Sequence, residues 1–435
     1  MTGRVIHLRE WQAVDPASEP ALRGVSFEAD ERARMLARAL SESNRLEITE
    51  LRSGLRLESR AFVGTVRVGP VTVVIQPKID DSHLTTLLRY AYGLGDLALF
   101  SPVAVATRPM GFQDLFVHQL HREVARLAAR GLHRDYEAVH GDLTSPRGRI
   151  VFGAYPRNAA SAAATLPVVH HPRLADSDLN RVILASLHAA ARVAVDIELR
   201  TKVRRLAALI AADVGSTVLS RDALRQARRK MDRRHINYEP SLTIIELLLD
   251  AAGIDLEGNA AQIPLDGFLF DMNRFFQALL SRFLRENLSH LLTVRDESTL
   301  KGLFAYDSAH NPRGRRAPSP RPDFVIMEGN KSVAVLDAKY RDLWERPLPR
   351  DMLYQLSLYA LAQTNRTATI LYPTLSPAAE QRILFNEPVH GLPSANIVLR
   401  PVNLLELASV VSRQPGGSAA TARRHLASRM AFGLR

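Results

Sequence analysis

Three side chains in the last third of the chain have types and spacing suited to hydrolytic chemistry: Asp323, just after Pro322, and Asp337 with Lys339 at the end of SVAVLDAKY. Side chains alternate along a strand, so Val333, Val335, Asp337 and Lys339 are expected on one face and Ala334, Leu336 and Ala338 on the other. DFVIM and SVAVLDAKY predict an antiparallel hairpin. With a three-residue loop, Glu328 to Asn330, Asp323 falls opposite Val335, on the face of Asp337 and diagonal to it. A loop one residue longer turns it to the other face. Paired carboxylates repel, and the usual relief is a hard divalent cation with oxygen ligands, Mg²⁺ or Mn²⁺. Such a cation lowers the pKa of a bound water, while Lys339 is placed to orient that water or to meet developing negative charge.

The helix RDMLYQLSLYALAQ that follows carries Gln355 and Tyr359 on one face. Either both point back at the acids, or they form an ordinary surface pair. A D-x-K triplet alone arises by chance in many chains. Its weight here comes from context, because two acids and a lysine at the end of an apolar strand are a costly arrangement for a core.

Upstream, LEITEL, LRLESRAFVGTVRV and VTVVIQPKI, with a Gly69-Pro70 turn, predict a small β-rich module over residues 1–100. Helical periodicity dominates residues 101–255, with Gly131 at a helix C-cap. A Gly- and Asn-containing joint, Asp255 to Pro264, marks the main boundary, and GFLFDMNRFFQALLSRFLREN then predicts one amphipathic helix from Gly267 to Asn287. The domain bearing the acids spans 262–412, and 413–435 reads as a basic tail with at most a short helix. The fold class is a multidomain α+β / α/β protein. The polar SAHNPRGRRAPSP predicts a loop whose Arg313, Arg315 and Arg316, with Arg321 beyond it, could touch a phosphate backbone.

Composition bounds the rest. The chain has no cysteine, which excludes disulfides, thiolate zinc sites, cysteine nucleophiles and cysteine-ligated clusters. Its 57 Lys and Arg against 45 Asp and Glu suit a partner that is a polyanion. No apolar run reaches the roughly 20 residues of a membrane span and MTGRVIHLREW is unlike a signal peptide, so no membrane association and a cytoplasmic location are expected. No G-x-x-x-x-G-K-[ST] loop is present, so nucleotide hydrolysis by that route needs another polypeptide. His133 and His170-His171 lack trustworthy metal-ligand spacing and are expected to be ordinary polar residues.

The order P-D, D-A-K, Q-x-x-x-Y resembles the PD-(D/E)xK nuclease superfamily, in its RecB-like branch. VGTVRVGPVTVVIQPKI, GLHRDYEAVHGDLTSPRGRI, LADSDLNRVILASL and FLFDMNRFFQALL extend the resemblance to the McrC family, nuclease subunits of McrBC-type modification-dependent restriction systems. The resemblance implies a restriction-endonuclease-like α/β domain in which Asp323 and Asp337 bind metal, Lys339 is catalytic, and Gln355 with Tyr359 assist. It also implies double-stranded DNA as substrate in anti-phage defence, and a separate AAA+ GTPase or ATPase ring of McrB type as partner. The region before about Gly253 would dock into that ring, with Arg147, Arg149, Asn180 and Arg181 as contacts. The family helix ordinarily carries an acid where this chain has Gln277; an amide adds no charge, so metal affinity falls or Asp271 assists. Two alternatives stand beside this: a non-catalytic adaptor that activates the AAA+ partner, and a stand-alone RecB-like repair nuclease.

Overall fold

The computed structural model of the chain describes residues 4–94, 111–136, 138–152, 165–255, 262–264, 267–300, 302–386, 391, 393–413 and 416–433. Its first sheet is set by β-branched runs: β1 (Arg4–Arg9), β2 (Phe62–Val68) and β3 (Val71–Gln76) each alternate buried with more exposed residues. Ile6, Leu8, Val66, Val73 and Ile75 bury one face against Leu36 and Leu40 of the helix Glu31–Glu42.

The fourth strand comes from far along the chain. Where the sequence predicts one helix from Gly267, the structure spends GFLFD on β4 (Gly267–Asp271), antiparallel to β2, and starts the helix at Met272. Two glycines explain the difference. A Cβ on Gly64 would sit 2.2 Å from the Phe268 carbonyl oxygen, and one on Gly267 2.2 Å from that of Thr65, so this pairing needs both positions bare. A strand from beyond the expected boundary thus completes the N-terminal sheet.

Helices α1 (Asp81–Tyr92), α2 (Phe112–Arg130), α3 (Asp178–Val193), α4 (Ile197–Ala211) and α5 (Glu239–Ala252) build the middle region around Leu120, Ile183, Leu187, Val203 and Leu242. Gly131, at φ 84°, caps α2 as predicted. A β insert separates α2 from α3: Val139–Leu143, Arg149–Ile150 and Leu166–His170 form a small sheet, and Asp135–Tyr136 pairs with Arg173–Leu174.

After helix α6 (Met272–Asn287), the chain lays down a six-stranded mixed sheet in the order β5-β6-β7-β8-β10-β9. These are β5 (Leu292–Asp296), β6 (Phe324–Glu328), β7 (Lys331–Ala338), β8 (Thr367–Thr374), β9 (Gln381–Asn386) and β10 (Pro393–Asn403). β7, β8 and β10 are parallel, and helix α7 (Arg350–Leu361) is the crossover from β7 to β8. One face packs on α7 through Val325, Val335, Leu356 and Ile370. The other packs on α6, α8 (Leu404–Ser412) and α9 (Gly417–Phe432) through Phe324, Leu336, Phe276 and Leu407. The basic tail is therefore more than a short helix. α9 has 16 residues and buries Leu426, Ala427, Met430 and Ala431. No helix among the described residues is long and apolar enough to cross a membrane.

The N-terminal sheet touches the chain just past Lys339. Glu10 is buried, with Oε2 accepting from Lys78 N–H at 3.4 Å and a side-chain hydrogen bond to Tyr340. Burial pushes the Glu10 carboxyl up to about 8 from 4.5, with Lys78 and Tyr340 opposing it. Between those values the folded chain holds a proton that the unfolded chain releases, so stability falls as pH rises across that window. Glu10→Gln removes this penalty. Thermal melting is expected to place the variant above the parent at pH about 8 and level with it near pH 4; parallel pH profiles would contradict a protonated Glu10.

Candidate active site

Asp337 and Lys339 sit where β7 leaves the sheet, and Asp323 immediately precedes β6 on the neighbouring strand. In place of a three-residue loop, the structure closes the hairpin with Gly329–Asn330, Gly329 taking φ 57° and Glu328 pairing with Lys331. A bulge at Val333 then shifts the register, so that Phe324 pairs with Leu336 and Asp323 comes level with Asp337 instead of Val335. The bulge also turns Val333 onto the face away from Val335, against the expected alternation. The shift amounts to two residues, which preserves the side of the sheet. The two acids consequently meet directly.

Asp323 Oδ2 accepts from the Ala338 N–H at 2.7 Å, and its Oδ1 accepts from Gln277 Nε2 at 3.1 Å. Its carbonyl accepts from the Glu297 N–H at 2.8 Å. Lys339 Nζ lies 3.0 Å from Asp337 Oδ2 and 3.7 Å from Asp323 Oδ2, bridging the pair. Its backbone N–H donates to the Leu371 carbonyl at 3.0 Å, fixing the strand exit to β8.

Asp337 is only 2% exposed, and burial, followed by the charge of Asp323, raises its carboxyl to about 6. Burial works against the Lys339 charge, but Asp337 and Asp323 outweigh it and hold the ammonium above its usual range. Asp337 thus carries an electrostatic cost that one ammonium does not fully offset. Oxygen donors, a central cationic position and the missing cysteines fit a hard divalent cation held by Asp323 and Asp337.

Gln355 Nε2 donates to the Tyr359 hydroxyl at 2.6 Å, and Tyr359 is buried between α7 and the sheet face that carries Val335. Tyr359 also feels Asp337, Asp323 and Lys339 electrostatically, and Gln355 is half-buried beside it. Asp271 does not. Its carboxylate caps α6, accepting from the N–H groups of Asn273 and Arg274.

The remaining sequence candidates divide. Arg321 donates to both the carbonyl and the carboxylate of Glu297, beside Asp323, whereas Arg313, Arg315 and Arg316 lie exposed in the preceding loop. Arg147 and Arg149 are exposed on the β insert. Asn180 must be corrected: it is fully buried and spends its amide on the carbonyls of His133 and Ala175 and on Tyr238, so it presents nothing to a partner. Arg181 chelates Asp176.

One feature escapes the sequence. A groove of about 680 Å³ runs beside Gln277 and is lined by Arg274, Arg282, Arg285, Arg321 and Asp296. Each arginine is held by a carboxylate, of Asp250, Glu286, Asp296 and Glu297 respectively. Three of the four lie on α6 at helical spacing, but which face of α6 stays open depends on the sheet it packs against.

Residues 57–373 match the family model described as McrBC 5-methylcytosine restriction system component. The chain belongs to this family. A chain of the tetradecameric assembly of Thermococcus gammatolerans McrB AAA+ hexamers with bound McrC shares the fold, with a TM-score of 0.62 at 21% identity, over 97% of this chain and 99% of that one. A second match, to the T. gammatolerans McrBC complex, has a TM-score of 0.47 at 21% identity over 67% of this chain and 89% of that one. No curated protein matches the chain.

Proposed function

We propose that this McrBC family member is the DNA-cutting subunit of its restriction system, with Asp323, Asp337 and Lys339 as its catalytic centre. The observation that carries this reading is the opposition of two strand-end carboxylates across one shared ammonium. When bound, Mg²⁺ or Mn²⁺ supplies Lewis-acid stabilisation and an activated water. Asp323 and Asp337 would hold it, and the Ala338 N–H and Gln277 amide keep Asp323 oriented. Lys339, 3.0 Å from Asp337 and 3.7 Å from Asp323, would offset the growing charge on the phosphate oxygens. Tyr359 limits the movement of Gln355, leaving the Gln355 amide oxygen to accept from the attacking water.

Double-stranded DNA would lie along the groove beside Gln277, its phosphates displacing carboxylates from Arg274, Arg285 and Arg321. The absence of a phosphate loop and the family membership support an AAA+ GTPase or ATPase ring of McrB type as the motor. Exposed Arg147 and Arg149 on the β insert are the proposed contacts to it. The test is copurification with an AAA+ ring of McrB type, followed by cleavage assays with Mg²⁺ and nucleotide. Cleavage of methylated DNA that needs both proteins is expected. Intact DNA alongside stimulated nucleotide hydrolysis would instead favour an adaptor, a reading that the amide at Gln277 keeps in play.

Asp337 also sets a pH dependence. A cation must displace its proton, so affinity is expected to fall about tenfold per pH unit below about 6. Calorimetric titration with Mn²⁺ across that range measures this directly. Affinity that stays flat down to pH about 5 would contradict Asp337 as a ligand.

A further inference from the structure

The geometry points to a second metal site, in the middle region, in which His133, Asp135 and His235 bind Zn²⁺. A ligand atom from each of the three lies within 4.8 Å of the other two. His133 Nε2 is 3.0 Å from Asp135 Oδ1, and the two imidazole rings stand edge to face with centroids 4.3 Å apart. Tetrahedral Zn²⁺ ligands lie about 3.3 Å from one another, so small side-chain rotations complete the set and leave a fourth position to water. Two imidazoles and a carboxylate suit zinc or a neighbouring transition metal better than Mg²⁺.

The surroundings are built for ligation. His235 is buried, and its Nδ1 lies 2.9 Å from the Asp232 carboxylate and 3.2 Å from the Asp232 backbone nitrogen, contacts that fix the ring; ligation through Nε2 takes the tautomer in which Nδ1–H donates to that carboxylate. The His133 backbone is held at both ends. Its N–H donates to the Tyr238 hydroxyl at 2.8 Å, its carbonyl accepts from Asn180 Nδ2 at 2.9 Å, and Tyr238 closes the loop by donating to Asn180 Oδ1. Buried Asn180 thus serves as a positioning residue for His133.

The site's place in the chain gives it a purpose. His133 and Asp135 begin the β insert as it leaves α2, while His235 belongs to the 3-10 turn Arg233–Tyr238 that leads into α5. A bound cation therefore pins the first strand of the insert to the helical body. The insert carries Arg147 and Arg149, so metal loading sets how those arginines are presented.

The test is calorimetric titration of the chelator-stripped full chain with Zn²⁺, in an Asp337→Ala background so that the strand-end acids do not compete. One saturable site is expected there. It should be lost in His133→Ala, and weakened roughly 10–100-fold by Asp232→Asn, which keeps the shape of the N-cap and removes the charge that orients His235 and pairs with Arg234. Asp135 is 47% exposed, so Asp135→Asn keeps the test valid if the histidine variant fails to fold; it should weaken binding at least about tenfold with an unchanged circular-dichroism spectrum. Co²⁺ should give the intense visible bands of a four-coordinate site. No saturable Zn²⁺ binding in the background chain, or equal binding after Asp135→Asn, would overturn the site.

Discussion

Asp337→Ala is expected to slow DNA cleavage by at least roughly 10²–10³-fold while leaving stimulation of the partner's nucleotide hydrolysis intact. The separation follows from where the residue sits. Asp337 is buried against Asp323, and burial with mutual repulsion raises its carboxyl, so the folded chain holds that group at a cost. Truncating it relieves the repulsion and leaves Lys339 with Asp323, and the fold should persist. The reaction fares differently. Gln277, which contacts the remaining acid, offers an amide that adds no charge, so the variant keeps only one strand-end carboxylate. Lys339→Ala should act similarly, and Lys339→Arg should not rescue it, because a planar guanidinium cannot replace a compact ammonium between two carboxylates. Cleavage within a few-fold of the parent in both alanine variants would remove this site from the account.

The largest structural effect is expected at Phe276. Its ring is fully buried between α6 and the sheet and meets Tyr340 edge to face at 6.0 Å, one residue beyond Lys339. Phe276→Ala opens a cavity in a layer closed by α8 and α9, and should cost about 3–5 kcal/mol. Tyr340 also bonds Glu10, so the loss reaches the contact between the N-terminal sheet and the exit of β7. Phe385→Ala on the edge strand β9, at 40% exposure, is the matched control and should stay within about 0.5 kcal/mol. Similar losses in urea unfolding for the two would contradict the packing described.

The grouping of Asp337, Lys339, Gln355 and Tyr359 was legible as far as it is local in sequence. Asp337 and Lys339 are two residues apart on one strand, and the helix with Gln355 and Tyr359 follows at once. The pairing of Asp323 was legible only as to its side of the sheet, since the Val333 bulge and the two-residue turn together shift register in a way no periodicity encodes. β4 was missed for a related reason: FLF satisfies helix and strand patterns alike, and the choice rests on Gly64, some two hundred residues away. Asn180 and His133 show the same limit. An Asn-Arg pair at a helix start resembles a surface contact until Tyr238 and His133 close over it, and His133 lacks a metal partner in sequence because His235 lies about a hundred residues on. The helix in the basic tail was hidden by its arginines, which in the sequence outweigh the apolar stripe of Leu426 and Met430 that packs into the core.

The most direct measurement is anomalous diffraction from crystals of the full chain grown with Mn²⁺. A single strong peak between the Asp323 and Asp337 carboxylates, with Lys339 moved away from one or both, is the expected result. Full Mn²⁺ loading elsewhere, with Lys339 still bridging the two acids, would contradict the assignment of this strand end as the cutting centre.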